Sequence, residues 1–376
     1  MKKMLALLLA LSCLTLPVLA AGPEVNAKAV ILMEKESGTI LHEDNAHTPL
    51  EPASVTKVMT LLLIMEALDE GRITKEDMVT VTANAAGMGG SQVYLKEGEQ
   101  MCVHDMLKAI AVASGNDASV AMAEHLAGSE EAFVELMNQR AAQLGMQDTQ
   151  FLNCTGLPIQ GHVTSAHDIA LMSRELILNH PDIRTYTTIW MDSLRDGKFQ
   201  LANTNKLIYY YQGATGLKTG STDSALYCLS GTAERDGMEL IAVVLGSPTS
   251  ADRFEAAKAL LSYGFANYTL LDVTNAQAIP PVTVELGTQS CVQPELSGMG
   301  SHLLVEKANL NKVTTSVELQ ESVTAPVEPG QSLGTLIVSM DGQVQDEIPL
   351  VAAEGVPRLS FGQIFQRLMA TLFLHT

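Results

Sequence analysis

The chain has 376 residues, long for one domain and comfortable for two, and 47% of them are hydrophobic, enough for a sizeable core. A formal net charge of -19 excludes a nucleic-acid partner, which would demand clustered Lys and Arg. The histidines form no HExxH and the cysteines no CxxC, so no metal site is expected.

The first stretch, MKKMLALLLALSCLTLPVLA, carries a lysine pair, an apolar run too short to span a bilayer well, and small residues suited to cleavage after Ala20. Residues 1–20 are read as a secretory signal, with Cys13 discarded in it. Cys102, Cys154, Cys228 and Cys291 remain, widely spaced, and are expected to be small buried thiols rather than a disulfide framework. Further on, KAVILMEKESGTILHEDNAH reads as a hairpin turning at Glu36 to Gly38. Helices are expected over Ser54–Leu68, Val103–Val112, Ala118–Leu126 and Glu130–Leu144. A second hairpin, LYCLSGTAERDGMELIAVVLG, turns at Asp236-Gly237. Strands at both ends with helices between imply an α/β (α+β) domain over residues 21–271, an antiparallel sheet flanked by helices.

After Leu271 the composition shifts to short alternating strands (VTVEL, SHLLVEKA, TTSVELQ, GTLIVSM, DEIPLV) with turns at Glu328-Pro329-Gly330 and Asp341-Gly342, so residues 272–355 read as a small all-β domain. In the tail, residues 356–376, a helix would carry Leu359, Ile364, Phe365, Leu368, Met369, Leu372 and Phe373 largely on one side. It is too short for a secure span and is expected to lie in a membrane surface; the competing reading docks it on the β domain.

Three short motifs could carry chemistry. In EPASVTKVMTLLLIMEAL, Ser54 and Lys57 stand three apart, within reach of one another on one helical face. A cap and a surface lysine would be the plain reading, yet Lys57 opposes the helix dipole and the apolar residues after it imply burial of its stem. Both effects favour the neutral amine, which can accept a serine proton. In VASGNDASVAM, Ser114 and Asn116 fall in a turn between helices, where Asn116 or Asp117 would ordinarily serve as a cap. In GLKTGSTDSALYCLSG, Lys218 offers a cation for a carboxylate, Thr219 a hydroxyl, and Gly220 room for a substrate backbone; a plain edge strand with a protective lysine is the alternative.

Each motif is weak alone, but the ordered set S-x-x-K, S-x-N, K-T-G resembles that of the penicillin-recognising serine enzymes. Within them the chain is similar to the low-molecular-mass penicillin-binding proteins, the D-alanyl-D-alanine carboxypeptidases, through the stretches above, FLNCTGLPIQGHVTSAHDIALMS, RFEAAKALLSYGF, the β domain and the tail. The resemblance implies a transpeptidase/β-lactamase-like fold in which Ser54 is the nucleophile and Lys57 its base. Ser114 and Asn116 would line the cleft, Lys218 and Thr219 would hold the substrate's carboxylate, and Arg253 would approach it. The backbone N–H groups of Ser54 and Ser221 would bind the oxyanion. It also implies no metal or organic cofactor, a peptidoglycan stem peptide ending in D-Ala-D-Ala as substrate, β-lactams as covalent inhibitors, and the extracytoplasmic face of the membrane as location. Two alternatives stay open: a class A-like β-lactamase, for which Glu175 to Asn179 makes a formal E-x-x-L-N, and a wall-binding scaffold without turnover.

Overall fold

The computed structural model describes residues 22–273, 278–297 and 302–374; the expected signal at residues 1–20 lies outside them. The chain forms two compact units. One is built around Thr39–Ala233 and Ile241–Tyr263, the other around the chain from Gly264 onward together with Glu34–Gly38 and Glu234–Leu240.

The first unit holds a five-stranded sheet in the order Ile40–Asp44, Ala29–Glu34, Met238–Ser247, Leu226–Arg235, Ala214–Thr222. The sequence MELIAVVLGS has no polar alternation because its strand is buried at every position in the middle of that sheet. Asp236 (φ 51°) and Gly237 (φ 79°) both adopt the left-handed conformation that a two-residue hairpin turn requires. Strand Ala214–Thr222 lies at the sheet's edge, pairs antiparallel with Leu226–Arg235 alone, and passes beside the 3-10 turn Ala53–Thr56.

Helix Lys57–Asp69 runs through the core of this unit, its residues Lys57 to Met65 all buried among helices Ala166–Asn179 and Asn116–Ala127. That location explains a segment apolar on all faces. The expected helix from Ser54 begins instead at Lys57, and Ser54 sits in the preceding 3-10 turn. Gly156 fixes this geometry: a Cβ there would lie 1.8 Å from the Ala53 carbonyl oxygen, and Ala53 itself has φ 49°. The helix expected from Ala118 starts at Asn116, with Gly115 as an N-cap that makes no side-chain bond.

The second unit is mainly β, apart from a 3-10 segment at Lys307–Lys312 and the C-terminal helix. One sheet takes strands Pro294–Leu296, Gln343–Ala352, Ser332–Met340 and Val313–Leu319 in that order; smaller sheets pair Tyr268–Asp272 with His302–Glu306 and Val282–Glu285 with Cys291–Val292 and Ser322–Thr324. Val282, Val292, Leu333 and Val356 belong to one apolar cluster, Leu336, Val338 and Leu350 to another. The expectation of four buried thiols needs correction: Cys154 and Cys228 are buried, Cys102 is partly so, and Cys291 is exposed because Val292 takes the inward position of its short strand. All four are free thiols.

The C-terminal helix Phe361–Leu374 leaves Phe361, Phe365 and Leu368 at 85%, 57% and 58% exposure, and Arg367 donates to the Gly287 and Thr288 carbonyls of the second unit. Among the described residues no helix is long and apolar enough to cross a membrane.

Candidate active site

The turn and the core helix place Lys57 Nζ 3.1 Å from Ser54 Oγ, 2.6 Å from Asn116 Oδ1 and 2.7 Å from the Thr155 carbonyl oxygen. A neutral amine has two N–H donors and one lone pair. Asn116 and Thr155 supply the two acceptors, and the Ser54 hydroxyl can donate to the lone pair. Burial pushes the Lys57 ammonium down to about 7, against the weaker opposing pull of Cys154 and Asp117.

The S-x-N turn is bound into this arrangement rather than merely capping a helix. Asn116 Nδ2 donates to Gly89 O at 2.7 Å, which turns the amide oxygen toward Lys57. The carboxylate of Asp117 accepts from the backbone N–H groups of Val93, Leu95 and Ala118, clamping the loop before it against the helix. Ser114 stands in the left-handed region (φ 62°), and its buried Oγ has no hydrogen-bond partner among the described residues. A left-handed backbone and an unpartnered buried hydroxyl thus coincide at this one residue of the candidate site.

His162, which no motif pointed to, braces the serine turn from behind. Thr56 Oγ1 donates to Ala53 O at 2.9 Å, so the 2.8 Å contact with His162 Nε2 requires the imidazole to donate there. His162 Nδ1 is then free to accept from Leu152 N–H at 3.0 Å. The neutral Nε2–H tautomer satisfies both bonds, and burial holds the ring down to about 4.

The K-T-G strand forms the other wall. A Cβ on Gly220 would lie 2.8 Å from both Ser54 N and Pro52 O, so only glycine lets the strand pass this close to the serine turn. Lys218 is 1% exposed, its Nζ bonded to Thr219 O at 2.9 Å; burial first, then the charges of Lys57 and Arg253, hold it well below the usual lysine range. Thr219 Oγ1 lies 2.6 Å from Thr204 Oγ1, which orients it. Ser221 follows, exposed, paired with Tyr227 across the sheet. Arg253 is not a surface residue: it is 6% exposed, donates to Gly220 O (3.0 Å) and Cys228 O (3.2 Å), and is flanked by the rings of Tyr227 and Phe254. Burial lowers it to about 10, so it stays charged at neutral pH.

The structure therefore brings Ser54, Lys57 and Asn116 into direct contact and sets Gly220 against the serine turn. None of Lys57, Lys218 and Arg253 is ion-paired to a carboxylate among the described residues, so three buried basic groups share the site. Thr155 and Thr204 also belong here. One acts through a backbone carbonyl and the other through a tertiary contact, so side-chain spacing carries no signal for either. Glu175 lies elsewhere, within helix Ala166–Asn179, bonded to Arg140 (2.5 Å) and Asn179 (2.9 Å). The approach of Glu66, Glu175 and His180 to one another is an ion-pair cluster around Arg140, which bonds both carboxylates.

A serine–lysine pair on a turn beside an edge strand, in a helix-flanked antiparallel sheet, defines a serine hydrolase of the penicillin-recognising class. Comparison with known proteins narrows this. Residues 17–249 match the D-alanyl-D-alanine carboxypeptidase family and residues 283–358 match the penicillin-binding protein 5 C-terminal domain. D-alanyl-D-alanine carboxypeptidase DacF of Bacillus subtilis (strain 168) is 43% identical over 91% of this chain and 89% of its own. The crystal structure of penicillin-binding protein 5 from Haemophilus influenzae superposes with a TM-score of 0.75 at 31% identity, covering 89% of this chain and 99% of that one. Penicillin-binding protein D2 from Listeria monocytogenes, in its ampicillin-bound form, gives 0.59 at 32% identity over 65% of this chain and all (100%) of its own. The chain belongs to the D-alanyl-D-alanine carboxypeptidase family.

Proposed function

We propose that the protein removes the terminal D-alanine from peptidoglycan stem peptides through an acyl-enzyme on Ser54. The observation that carries this is the fully buried Lys57 amine, 3.1 Å from Ser54 Oγ, with acceptors for both of its N–H groups. Ser54 Oγ attacks the carbonyl of the penultimate D-alanine while Lys57 takes its proton. The Ser54 N–H, beside Gly220, and the Ser221 N–H, next along the strand, would bind the oxyanion. The unpartnered Ser114 hydroxyl relays the proton held by Lys57 to the departing D-alanine amine, which returns Lys57 to the neutral form, and water then hydrolyses the ester with Lys57 again as base and Ser54 regaining its proton. Lys218 and Thr219 hold the terminal carboxylate, while Arg253 fixes the Gly220 carbonyl and adds positive field. A β-lactamase reading is not favoured, since Glu175 is held by Arg140 within a helix.

Intact mass after exposure to penicillin tests the assignment. The native protein should gain one adduct and release D-alanine from a diacyl-D-Ala-D-Ala peptide; Ser54→Ala should do neither. A Ser54→Ala protein that acquires the adduct at the native rate refutes it.

The leader-like residues 1–20 and the exposed Phe361, Phe365 and Leu368 support a place on the extracytoplasmic face of the membrane, held at the surface by the C-terminal helix. A chain ending at Ser360, which keeps Val356 in the β core and removes the C-terminal helix alone, should stay fully active on peptide and no longer pellet with anionic vesicles. Equal pelleting of the full and shortened proteins would rule the anchor out.

A further inference from the structure

The two acceptors that hold the N–H groups of Lys57 are oriented by different means. Asn116 is turned toward Lys57 by its own bond to Gly89 O. The Thr155 carbonyl belongs to residues 153–157, which form neither helix nor strand, so no backbone ladder sets its direction. Thr155 is 1% exposed, which leaves its carbonyl no solvent to turn to either.

Asn153 takes over that task. Its Oδ1 accepts from Thr155 N–H at 3.1 Å, Thr155 Oγ1 at 3.1 Å and Gly156 N–H at 2.6 Å, and its Nδ2 donates to Leu157 O at 2.9 Å. One side chain thus bonds Thr155, Gly156 and Leu157 and curls them into a tight loop. The loop's outer contacts fix where it sits: Gly156 lies against the Ala53 carbonyl, Thr60 Oγ1 donates to Cys154 O at 2.7 Å, and Cys154 N–H donates to Glu130 at 3.1 Å. None of these outer contacts reaches the Thr155 carbonyl itself.

We infer that Asn153 is a positioning residue for acyl transfer, holding the Thr155 carbonyl so that the lone pair of Lys57 stays on Ser54 Oγ. The inference rests on Lys57 being the base. An amine nitrogen is tetrahedral, so once Asn116 and Thr155 take its two N–H groups the direction of the lone pair is settled, and the remaining neighbour is Ser54 Oγ at 3.1 Å. With one acceptor loose, the amine turns about its Cε–Nζ bond and the lone pair leaves the hydroxyl. The Thr155 carbonyl also accepts a stronger bond from an ammonium than from an amine, so releasing it weakens the hold of Lys57 on a proton. The other titratable groups whose fields reach Lys57 are Cys154, Asp117 and Lys218. The Asn153 side chain is hydrogen-bonded to none of them among the described residues.

Rates of acylation by a fluorescent penicillin, measured on the full-length mature protein from acid to mildly alkaline pH, test this. Asn153→Ala should lose about tenfold or more in plateau rate, the scale of a misdirected reacting group, with little change in the penicillin concentration at half-saturation. Its pH midpoint should move about one pH unit toward acid. Asn153→Asp keeps the acceptor for Thr155 and Gly156 and should stay within about threefold of the native plateau, while its added charge moves the midpoint toward alkali. Should the alanine variant prove too unstable to assay, Asn153→Ser, with one short acceptor left, should show the same changes at smaller size. A native plateau for the alanine or serine variant overturns the inference. So does a loss of rate with the midpoint unmoved, which is what mere loosening of the fold would give. A native profile that is flat across neutrality instead removes Lys57 as the base, and with it the reading on which the inference rests.

Discussion

Replacing Lys57 with arginine should slow acylation by penicillin about a hundredfold or more, the scale of lost general-base help. Arginine keeps the charge and the bulk but cannot give up a proton in a protein. The contacts of Lys57 make the loss specific: two acceptors and a hydroxyl surround Nζ, an arrangement suited to the neutral amine and to no guanidinium. The same chemistry sets the pH dependence of the native enzyme. Only the unprotonated amine accepts the serine proton, so with Lys57 titrating at about 7, acylation should rise as pH increases through neutrality and level off above it. Rates of labelling by a fluorescent penicillin, followed from acid to mildly alkaline pH, measure both. Near-native acylation of Lys57→Arg, or a profile flat across neutrality, would assign the base elsewhere.

A D-Ala-D-Ala amide should be a poor substrate, and Lys218→Ala should lose activity on the free acid while discriminating far less between acid and amide. The reason lies in the company Lys218 keeps. It is buried near the charges of Lys57 and Arg253, its ammonium donates to the Thr219 carbonyl, and burial with those neighbours holds it well below the usual lysine range, a penalty that a bound carboxylate would offset. A charge-assisted contact of about 1.5 to 3 kcal/mol corresponds to roughly ten- to a hundredfold in kcat/KM. Equal turnover of acid and amide by the native protein would defeat this account and favour a substrate chain that continues past the scissile bond.

The side chains that meet at the candidate site were picked out in the sequence because each sits in a short local motif whose order is itself informative. Their surroundings were not. That Ser54 occupies a 3-10 turn depends on Gly156 pressing against Ala53, a contact across about a hundred positions of chain that periodicity cannot register. Asn116 and Asp117 looked like caps, since capping is what those residues most often do at a helix start; here tertiary partners, Lys57 and the Val93–Leu95 backbone, claim both side chains. His162 was invisible for the same reason, a lone histidine whose partners Thr56 and Leu152 are brought to it only by the fold. Hairpin turns were easier, because Asp236-Gly237 announces its own backbone conformation.

The three buried basic groups also burden the protein that carries them. In an unfolded chain Lys57 would titrate near 10.5, and in the fold it does so at about 7. Between those values the unfolded chain binds more protons, so folding stability rises with pH across that window, and below about 7 the whole penalty is present. At about 1.4 kcal/mol per pKa unit it is on the order of 5 kcal/mol, comparable with the entire margin of a small domain. Lys218 and Arg253 are depressed in the same sense. The active site is thus held together by the rest of the fold against its own tendency to take up protons and open. A ligand carboxylate that binds only the folded form relieves part of that strain, so the anion that marks a substrate for cleavage also steadies the enzyme while it is bound.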